Sequence, residues 1–307
     1  MGIFPANLLS VAMTGFSGHQ SNLSGCFRKL TRGSTWELIS EVPLKFPSGH
    51  PQGMVKIGES FYISSVEITK PTVRYPEPRG GYDRDTGEGA GFFCKIDGRG
   101  NLLEKISIGE GPIYHPGGID FDGSHIWVPA AEYRPDSRSI IYRIGTSPLR
   151  AEKMFEYGDH IGGIVHNTDA NTLHGISWGA RRFYTWPLDA GGKVRGTDIP
   201  REKLMIINPG FYIDYQDCHY LGNHEMLCSG VSYYKQDGEV FGLGGIELVD
   251  LKTNLPVHQI PVELWSPKTK RPMTNNPFWM EEMGGMITAY FIPDDDDSVL
   301  YTYRVTP

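Results

Sequence analysis

A repeat built around glycine turns constrains the fold of this chain more than any other feature of its sequence. Residues 50–67 and 115–132 are its clearest copies. Each begins with His-Pro, has a turn glycine eight residues after the histidine, and carries a glutamate seventeen residues after it. Weaker copies begin at His160, Asp214 and Asn276. Repeats of this size, each with its own turns and short apolar runs, are typical of folds in which neighbouring units bury a shared core.

Each copy continues into further short runs that alternate apolar and polar residues, which is the pattern of antiparallel strands. In the clearest case, residues 92–96 and 102–108 flank an Asp-Gly turn, which favours a hairpin. The remaining pairs of runs are residues 140–144 with 151–157, residues 183–188 with a run from Val194 onward, and residues 245–251 with 257–262. Four strands for each copy follow from this pattern.

The two ends of the chain supply the parts of one incomplete unit. The fifth copy has only one further run, residues 299–305, and a run at residues 36–44 precedes the first copy. An N-terminal strand that completes the last blade would close a β-propeller and remove its open edges. The sequence therefore predicts an all-β chain with one β-propeller domain over residues 35–307 and five four-stranded blades. Six blades are the alternative, with residues 195–208 as the extra copy, and residues 1–34 are expected to be a partly disordered leader.

Composition excludes several classes of partner. The 29 basic and 36 acidic side chains give a net charge of −7, and the basic ones are scattered along the chain. Nucleic-acid binders instead concentrate a basic excess on one face. No run approaches the ~18 consecutive apolar residues of a membrane span. We expect neither nucleic acid nor a membrane as a partner, and the sequence leaves the oligomeric state open.

Cysteine usage bears on the compartment. The chain has four cysteines and no Cys-x-x-Cys pair, a usage that is common in reducing compartments. The sequence therefore predicts a cytoplasmic protein. Cys218 and Cys228 could still pair across a hairpin.

The first position of every repeat is polar, although the first strand of a propeller blade lines the central axis. These positions are His50, His115, His160, Asp214 and Asn276. Equivalent positions of radial repeats converge, so we expect these side chains at one end of the axis, next to the glutamates that end the second strands. The predicted catalytic residues are His50, His115, His160, Glu67, Glu132 and Asp214.

Neighbouring side chains complete the predicted pocket. The connection after each second strand opens on the same face, where aromatic residues could form flat walls for an aromatic ligand. We predict a small aromatic substrate bound by Gln52, Tyr133, Trp178, Arg181, Gln216, Tyr233, Asn276 and Trp279. The glycine-rich residues 75–91 are expected to form a mobile lid, and residues 294–297 a solvated acidic run.

Three histidines beside carboxylates allow three interpretations. As a metal site, His50, His115 and His160 would hold a divalent ion such as zinc or iron. As acid–base groups, histidines held by carboxylates would move protons near neutral pH. As structural groups, they would only hydrogen-bond their neighbours and seal the tunnel. The preferred prediction is a site without a cofactor, and a divalent metal at the histidine ring is the alternative.

Several whole motifs resemble those of propeller-like proteins of bacteria and filamentous fungi, most of which have no assigned function. The motifs are residues 44–47 with 50–54, residues 115–120 with 132–137, and residues 212–218, and the resemblance covers about residues 30–307. It implies a relation to fungal natural-product enzymes that act without cofactors. Such enzymes steer ring closure of reactive polyketide intermediates, for example ortho-quinone methides, by hydroalkoxylation or hetero-Diels–Alder addition.

The resemblance favours a cofactor-independent cyclase that acts on a reactive aromatic or polyketide intermediate. A metal-dependent propeller hydrolase of the lactonase type is one alternative. A propeller that binds a small molecule or glycan without turnover is the other.

Overall fold

Five small antiparallel sheets, one for each copy of the repeat, surround a common axis in the computed structural model, which describes residues 22–307. This arrangement confirms the all-β, five-bladed β-propeller, and the six-bladed alternative is wrong. The residues considered for a sixth blade, 195–208, contain one short helix and a two-residue strand.

The elements follow the chain from blade to blade. The strand β1 (Thr35–Pro43) precedes blade 1. Blade 1 and its insertion consist of β2 (His50–Ile57), β3 (Ser60–Lys70), β4 (Arg74–Arg79), β5 (Tyr82–Arg84), β6 (Glu88–Asp97) and β7 (Leu102–Ile108). Blade 2 consists of β8 (Ile113–Pro116), β9 (Asp120–Phe121), β10 (Ile126–Glu132), β11 (Ser139–Thr146) and β12 (Leu149–Tyr157). Blade 3 consists of β13 (Ile161–Asn167), β14 (Thr172–Ser177), β15 (Arg182–Pro187) and β16 (Ile206–Ile207).

Blade 4 consists of β17 (Asp214–Gly222), β18 (Glu225–Gln236), β19 (Glu239–Asp250) and β20 (Leu255–Val262). Blade 5 consists of β21 (Phe278–Met283), β22 (Met286–Phe291), β23 (Val299–Thr306) and the N-terminal β1. The helices are short: α1 (Leu23–Phe27), α2 (Arg201–Leu204) and two 3₁₀ turns at Trp178–Ala180 and Met273–Asn275.

The N-terminal strand closes the ring as predicted. β1 pairs antiparallel with β23, from Thr35 opposite Thr306 to Pro43 opposite Val299. Blade 5 therefore combines its C-terminal strand with a strand from near the N-terminus, and loss of β1 would expose the edge of β23.

The repeated turn glycines are required by backbone conformation. Gly58, Gly123, Gly222 and Gly284 each follow the first strand of a blade and have φ values of 59°, 93°, 88° and 62°. Space is not the constraint, because a Cβ at any of the four would meet no atom within 4 Å. The left-handed conformation alone disfavours other residues at these turns.

The outer part of blade 3 differs from the prediction. Val194 makes one isolated bridge with Leu188 instead of starting a strand, and β16 supplies the fourth strand with only two residues. The segment after Val194 contains Gly196 and Pro200, both of which disfavour a continuous strand. The predicted start of the fourth strand at Val194 is therefore wrong.

Residues just before the propeller pack against it. Leu23, Phe27 and Leu30 are buried in one cluster with Ile246 of blade 4 and Phe278 of blade 5. These three residues fall within the predicted leader, so this part of it belongs to the packed core. The rest of that prediction, over residues 1–21, lies outside the described residues.

The inner strands meet directly and close the axis. A Cβ at Gly53 would lie 2.7 Å from the backbone nitrogen of Ile119, and a Cβ at Gly117 would lie 2.1 Å from the carbonyl oxygen of Gly162. Only glycine permits such close approach between blades. Backbone therefore closes the axis of the described propeller at this level.

One buried carboxylate holds three blades together at the axis. Asp217 Oδ1 accepts the backbone N–H of Ile119 at 3.0 Å, and its Oδ2 accepts those of Met54 at 2.9 Å and Phe278 at 3.4 Å. The Nε2 atom of His219 lies 3.4 Å from Asp217 Oδ2. Blades 1, 2 and 5 are thus anchored to a side chain of blade 4.

Cys218 and Cys228, opposite each other on β17 and β18, form a disulfide. The possible pairing across a hairpin is therefore present, and the sequence argument for a reducing compartment loses force, because disulfides persist mainly in oxidising ones. Among residues 22–307, every helix is too short or too polar to span a bilayer.

Candidate functional site

The first residues of four of the five repeats lie close together at one end of the axis. The ring centroids of His50 and His115 are 6.1 Å apart, and those of His115 and His160 are 6.4 Å apart. Asn276 joins this group through Asp295, which also contacts His50. We call His50, His115 and His160 the histidine ring.

Two members of the histidine ring are deeply buried. His115 is 6% exposed and His160 is 5% exposed. Burial, with smaller contributions from His50 and His160, holds the pKa of His115 well below its usual value. Burial also lowers the pKa of His160 to about 4, although the Glu132 carbonyl oxygen accepts a hydrogen bond from its Nδ1 at 2.9 Å. Both imidazoles are therefore neutral at pH 7.

His115 has an unused nitrogen. Its Nε2 is buried and has no hydrogen-bond partner within residues 22–307. The same ring stacks on Tyr133, with centroids 4.1 Å apart and an interplanar angle of 14°. Buried polar atoms in folded proteins are nearly always paired, so an unpaired one indicates a position where a ligand or water can bond.

His50 forms a dyad with Asp295 at the rim of the ring. Their Nδ1 and Oδ1 atoms are 2.6 Å apart. Arg271 Nη1 donates to Asp295 Oδ2 at 2.5 Å, and Asn276 Nδ2 donates to Asp295 Oδ1 at 3.2 Å. Burial opposes ionisation of Asp295, but the bonds from His50 and Arg271 outweigh it and lower the pKa to about 2. Asp295 is therefore an anion that orients the His50 ring.

Sequence reasoning missed this carboxylate. Residues 294–297 were expected to be solvated, yet Asp294 is fully buried and Asp295 is half-buried. Asp294 accepts hydrogen bonds from Ser266 at 2.9 Å and Thr269 at 2.5 Å. The expectation is wrong for these two residues and agrees with the exposure of Asp296 and Asp297. A signal was present, because the run begins directly after Pro293, the repeat position equivalent to Glu67 and Glu132.

Aromatic side chains form one wall of the site. Trp178 packs edge-on against His160, with centroids 4.8 Å apart, and lies 5.7 Å from Tyr133. The guanidinium of Arg84 lies over the Trp178 ring at 5.3 Å. Tyr133 and Trp178 therefore occupy the positions expected of a wall for a flat ligand, and Arg84 covers that wall.

Glu132 and Glu67 do not meet the histidines as carboxylates. Both Glu132 oxygens are used by arginines: Oε2 by Arg134 Nε at 2.8 Å and Oε1 by Arg138 Nη2 at 3.0 Å. Glu132 contacts His160 only through its backbone carbonyl. Glu67 is exposed and has no side-chain hydrogen bond within the described chain. The geometry gives Glu132 an orienting position and brings Glu67 to no histidine.

Asp214 and Arg181 form an ion pair beside the wall. Arg181 Nη2 lies 2.8 Å from Asp214 Oδ1, and the Asp214 side chain is 58% exposed. The surrounding protein raises the pKa of Asp214, and Arg181 acts in the opposite direction. The two glutamines bond only to nearby backbone, Gln52 to the Pro51 carbonyl at 3.1 Å and Gln216 to the Asp214 carbonyl at 3.3 Å.

The remaining predicted contacts divide between the site and the core. Tyr233 is 56% exposed and its hydroxyl bonds to Asn275, whose Nδ2 donates to Asn276 at 2.9 Å. Trp279, in contrast, is 7% exposed within the hydrophobic core and packs edge-on against His219 at 4.7 Å. Its predicted role as a pocket wall is wrong, because Trp279 lies on β21 and packs in the core between blades.

A hairpin lies over the aromatic wall. β4 and β5 form a separate two-stranded sheet that occupies part of residues 75–91, where a mobile lid was expected, and Arg84 at the end of β5 lies over Trp178. Two depressions lie outside the ring. One of about 400 Å³ is at the base of the hairpin beside Tyr114, and another of about 280 Å³ is beside blade 4 near Trp265. Neither is lined by a histidine of the ring.

The described residues contain no group of three or more His, Cys, Asp or Glu side chains arranged to hold a metal ion. The Nδ1 atoms of His50 and His160 each face an oxygen acceptor. Such bonds fix the tautomer and orientation of metal-binding histidines in general. The metal alternative at the histidine ring stays a prediction.

Comparison with known proteins identifies the family and the fold. The chain belongs to the family of unknown function DUF6454, whose profile matches residues 10–306. No curated protein matches the sequence. Glutaminyl cyclase of Myxococcus xanthus is similar in structure, with 12% sequence identity and a TM-score of 0.51, covering 89% of this chain and 98% of that chain.

A luciferin-regenerating enzyme also aligns, with 11% identity and a TM-score of 0.45, over 90% of this chain and 96% of that chain. At such identities the likeness concerns the fold alone. Membership of a propeller-like family without assigned function agrees with the resemblance stated from the sequence. The link to natural-product cyclases stays a prediction.

Proposed function

We propose that this member of the DUF6454 family is an acid–base enzyme that closes a ring in a small, reactive aromatic intermediate without a redox cofactor. The observation that carries the proposal is the His50–Asp295 dyad, with a separation of 2.6 Å at the rim of the histidine ring. A histidine held by an ionised carboxylate is a common general base, because the carboxylate fixes the ring and stabilises its protonated form.

Ring closure of an ortho-quinone methide matches the groups at the site. His50 takes the proton from the attacking hydroxyl, whose oxygen then forms a bond to the methide carbon. The electron pair of the methide C=C bond moves into the ring, which becomes aromatic, and the π pair of the C=O bond moves to oxygen. The resulting phenolate receives a proton from His50. The addition is redox-neutral and releases no group, so it consumes no oxidant or reductant.

The other members of the site have roles in the same step. Nε2 of His115, unpaired in the described residues, can donate to the carbonyl oxygen when it carries the hydrogen. Donors aimed at developing negative charge are among the largest contributions to catalysis. Tyr133 and Trp178 hold the ring plane and so fix which face is attacked. Arg181, paired with Asp214 at 2.8 Å, supplies a further cation near the oxyanion.

The test uses 2-(1-acetoxy-4-hydroxybutyl)phenol, which releases a quinone methide in buffer and cyclises to 2-(2-hydroxyphenyl)tetrahydrofuran. The uncatalysed product is racemic because the intermediate is planar. We expect the wild-type protein to accelerate cyclisation and to give an excess of one enantiomer. His50→Asn should lose about 10²-fold or more of the added rate, the usual contribution of a positioned base.

Matched controls separate the dyad from general effects. His125→Asn changes a histidine in the β9–β10 turn and should keep rate and enantiomeric excess. Asp295→Asn should lower kcat and move the pH–rate profile, since Asp295 positions His50, whereas Asp296→Asn should change neither. Racemic product at the uncatalysed rate with saturating wild-type protein would contradict the proposal.

A metal-dependent hydrolase is the second candidate, favoured by the oxygen acceptors on Nδ1 of His50 and His160. Metal analysis tests this candidate. A stoichiometric divalent ion in the purified wild-type protein that is absent from both His50→Asn and His160→Gln would support the hydrolase over a cofactor-free enzyme. If the propeller only binds its ligand, we expect no turnover in the wild-type protein or in any variant.

We also propose that the protein is located in the cytoplasm. The Cys218–Cys228 disulfide is evidence against this location, because disulfides persist mainly in oxidising compartments.

A further inference from the structure

The hairpin of β4 and β5 reaches from blade 1 to the walls of the site. The guanidinium carbon of Arg134 lies 3.5 Å from the centroid of the Tyr82 ring. Arg134 Nη1 donates to the carbonyl oxygen of Arg84 at 3.5 Å. Arg84 then extends over Trp178 at 5.3 Å. A residue of blade 1 therefore covers the aromatic wall that belongs to blades 2 and 3.

Arg84 is half-buried and pairs with the residue before it in the hairpin. Its side chain is 14% exposed, and its Nε and Nη2 donate to Asp83, the preceding residue, at 2.9 and 2.8 Å. Its Nη1 has no acceptor among residues 22–307. Arg271 and Arg181, in contrast, bind carboxylates of the propeller itself. Arg84 is thus the cation that the hairpin places over the aromatic wall, and its Nη1 is available to a ligand.

A guanidinium above an indole ring occupies the space where a flat ligand would stack. An aromatic ligand that stacks on Trp178 replaces this cation–π contact by an aromatic contact of comparable strength. The displaced guanidinium then lies at the edge of the ligand, with Nη1 free to donate. A planar donor group with a positive charge selects an oxyanion there, because charge-assisted hydrogen bonds are about twice as strong as neutral ones.

We infer that the substrate is a planar aromatic molecule with an oxyanion on or beside its ring. Arg84 on the hairpin selects this substrate by giving up its contact with Trp178 and forming a hydrogen bond to the oxyanion. The inference rests on the proposed function for the position of the site. A phenolate and an aromatic carboxylate share this chemistry. A neutral quinone methide acquires it when ring closure turns its carbonyl oxygen into a phenolate.

Binding of three probes tests the inference by isothermal titration calorimetry. They are 2-naphthoate, its neutral analogue 2-naphthamide, and the non-aromatic cyclohexanecarboxylate. We expect the wild-type protein to bind 2-naphthoate about tenfold more tightly than either of the others, as one charge-assisted bond and one stacking contact would give.

Variants assign the selection to residues. Arg84→Gln should remove the preference for 2-naphthoate over 2-naphthamide. Arg79→Gln, a matched change at an exposed arginine of the same hairpin, should keep it. Trp178→Leu should weaken both naphthyl probes equally. Circular dichroism spectra and thermal midpoints like those of wild type would show that each variant is folded.

The outcomes distinguish this inference from the proposed function. His50→Asn should lose ring closure, since His50 moves the proton, and should keep the preference for 2-naphthoate over 2-naphthamide, since that preference depends on Arg84. Equal binding of 2-naphthoate and 2-naphthamide, absence of 2-naphthoate binding at millimolar concentration, or an unchanged preference in Arg84→Gln would each overturn the inference. Ring closure by a wild-type protein without this preference would retain the function and reject the substrate class.

Discussion

Three histidines with the same repeat position have different chemical environments. His50 bonds the carboxylate of Asp295, which is itself held by Arg271. His115 and His160 are buried against each other and against aromatic rings, so their charged forms are destabilised. One repeat position therefore places one imidazole beside a carboxylate and two imidazoles in surroundings that disfavour charge.

The buried His160 should make stability depend on pH. Its pKa is about 4 in the folded protein and near 6.5 in the unfolded chain. As pH falls from 6.5 to 4, the unfolded chain binds a proton that the folded protein excludes, so the free energy of unfolding decreases. Between pH 7 and pH 4, the free energy of unfolding of wild type should decrease by up to about 3 kcal/mol more than that of His160→Gln.

Urea denaturation of both proteins at pH 7 and near pH 4 measures the difference. His125→Gln serves as the control and should parallel wild type, because His125 lies in an outer turn and bonds only Ser124 through its ring. Parallel pH dependence of wild type and His160→Gln would contradict the assigned environment of His160.

At this scale the sequence was informative where the repeat itself places a residue. Alignment of the repeats located His50, His115 and His160 together, since equivalent positions of a radial repeat must converge. Asp295 was missed because acidic runs are usually solvated, and its partner Arg271 lies outside that run. Glu132 was predicted as a base from its repeat position, and the nearby Arg134 and Arg138 gave no indication that they would use both oxygens.

Strands that belong to the repeat could be predicted from the sequence, whereas those in insertions could not. The N-terminal strand was predictable because the last copy lacked a strand and residues 36–44 lacked a blade. The β4–β5 hairpin and the two-residue β16 lie in segments without the repeat pattern, where side-chain contacts with other blades decide the path. Local alternation of apolar residues contains no information about those contacts.

The closing strand β1 should control the stability of blade 5. Trp36 is half-buried and packs against Phe291 at 6.2 Å. Trp36→Ala should lower the free energy of unfolding by about 2–3 kcal/mol, somewhat less than a fully buried tryptophan would. Glu37→Ala, which removes an exposed pair with Arg304, should cost less than about 1 kcal/mol.

Hydrogen–deuterium exchange locates the effect. In Trp36→Ala, amides of β22 and β23 should exchange faster than in wild type, while those of blades 1 to 4 change less. Uniform acceleration across all blades would mean that β1 does not act as a local closure.

For the molecule as a whole, the axis is the point where blades are joined. Asp217 accepts backbone hydrogen bonds from three other blades, although burial raises its pKa. Asp217→Asn replaces one acceptor oxygen by a donor that faces other donors. We expect a loss of about 2–4 kcal/mol in the free energy of unfolding, the range for a disrupted buried charged group.

Chemical denaturation of Asp217→Asn, compared with Asp198→Asn at an exposed position, tests this expectation. The exposed change should stay within about 0.5 kcal/mol of wild type. Equal stability of the two variants would show that the blades are held by packing between their sheets alone.

The glycine contacts and Asp217 also decide how molecules reach the histidine ring. Backbone and the Asp217 carboxylate occupy the centre of the propeller between its two faces. We therefore expect a ligand of the histidine ring to enter and leave on the side of the Arg84 hairpin. Changes in the hairpin should then alter the rates of ligand association and dissociation together.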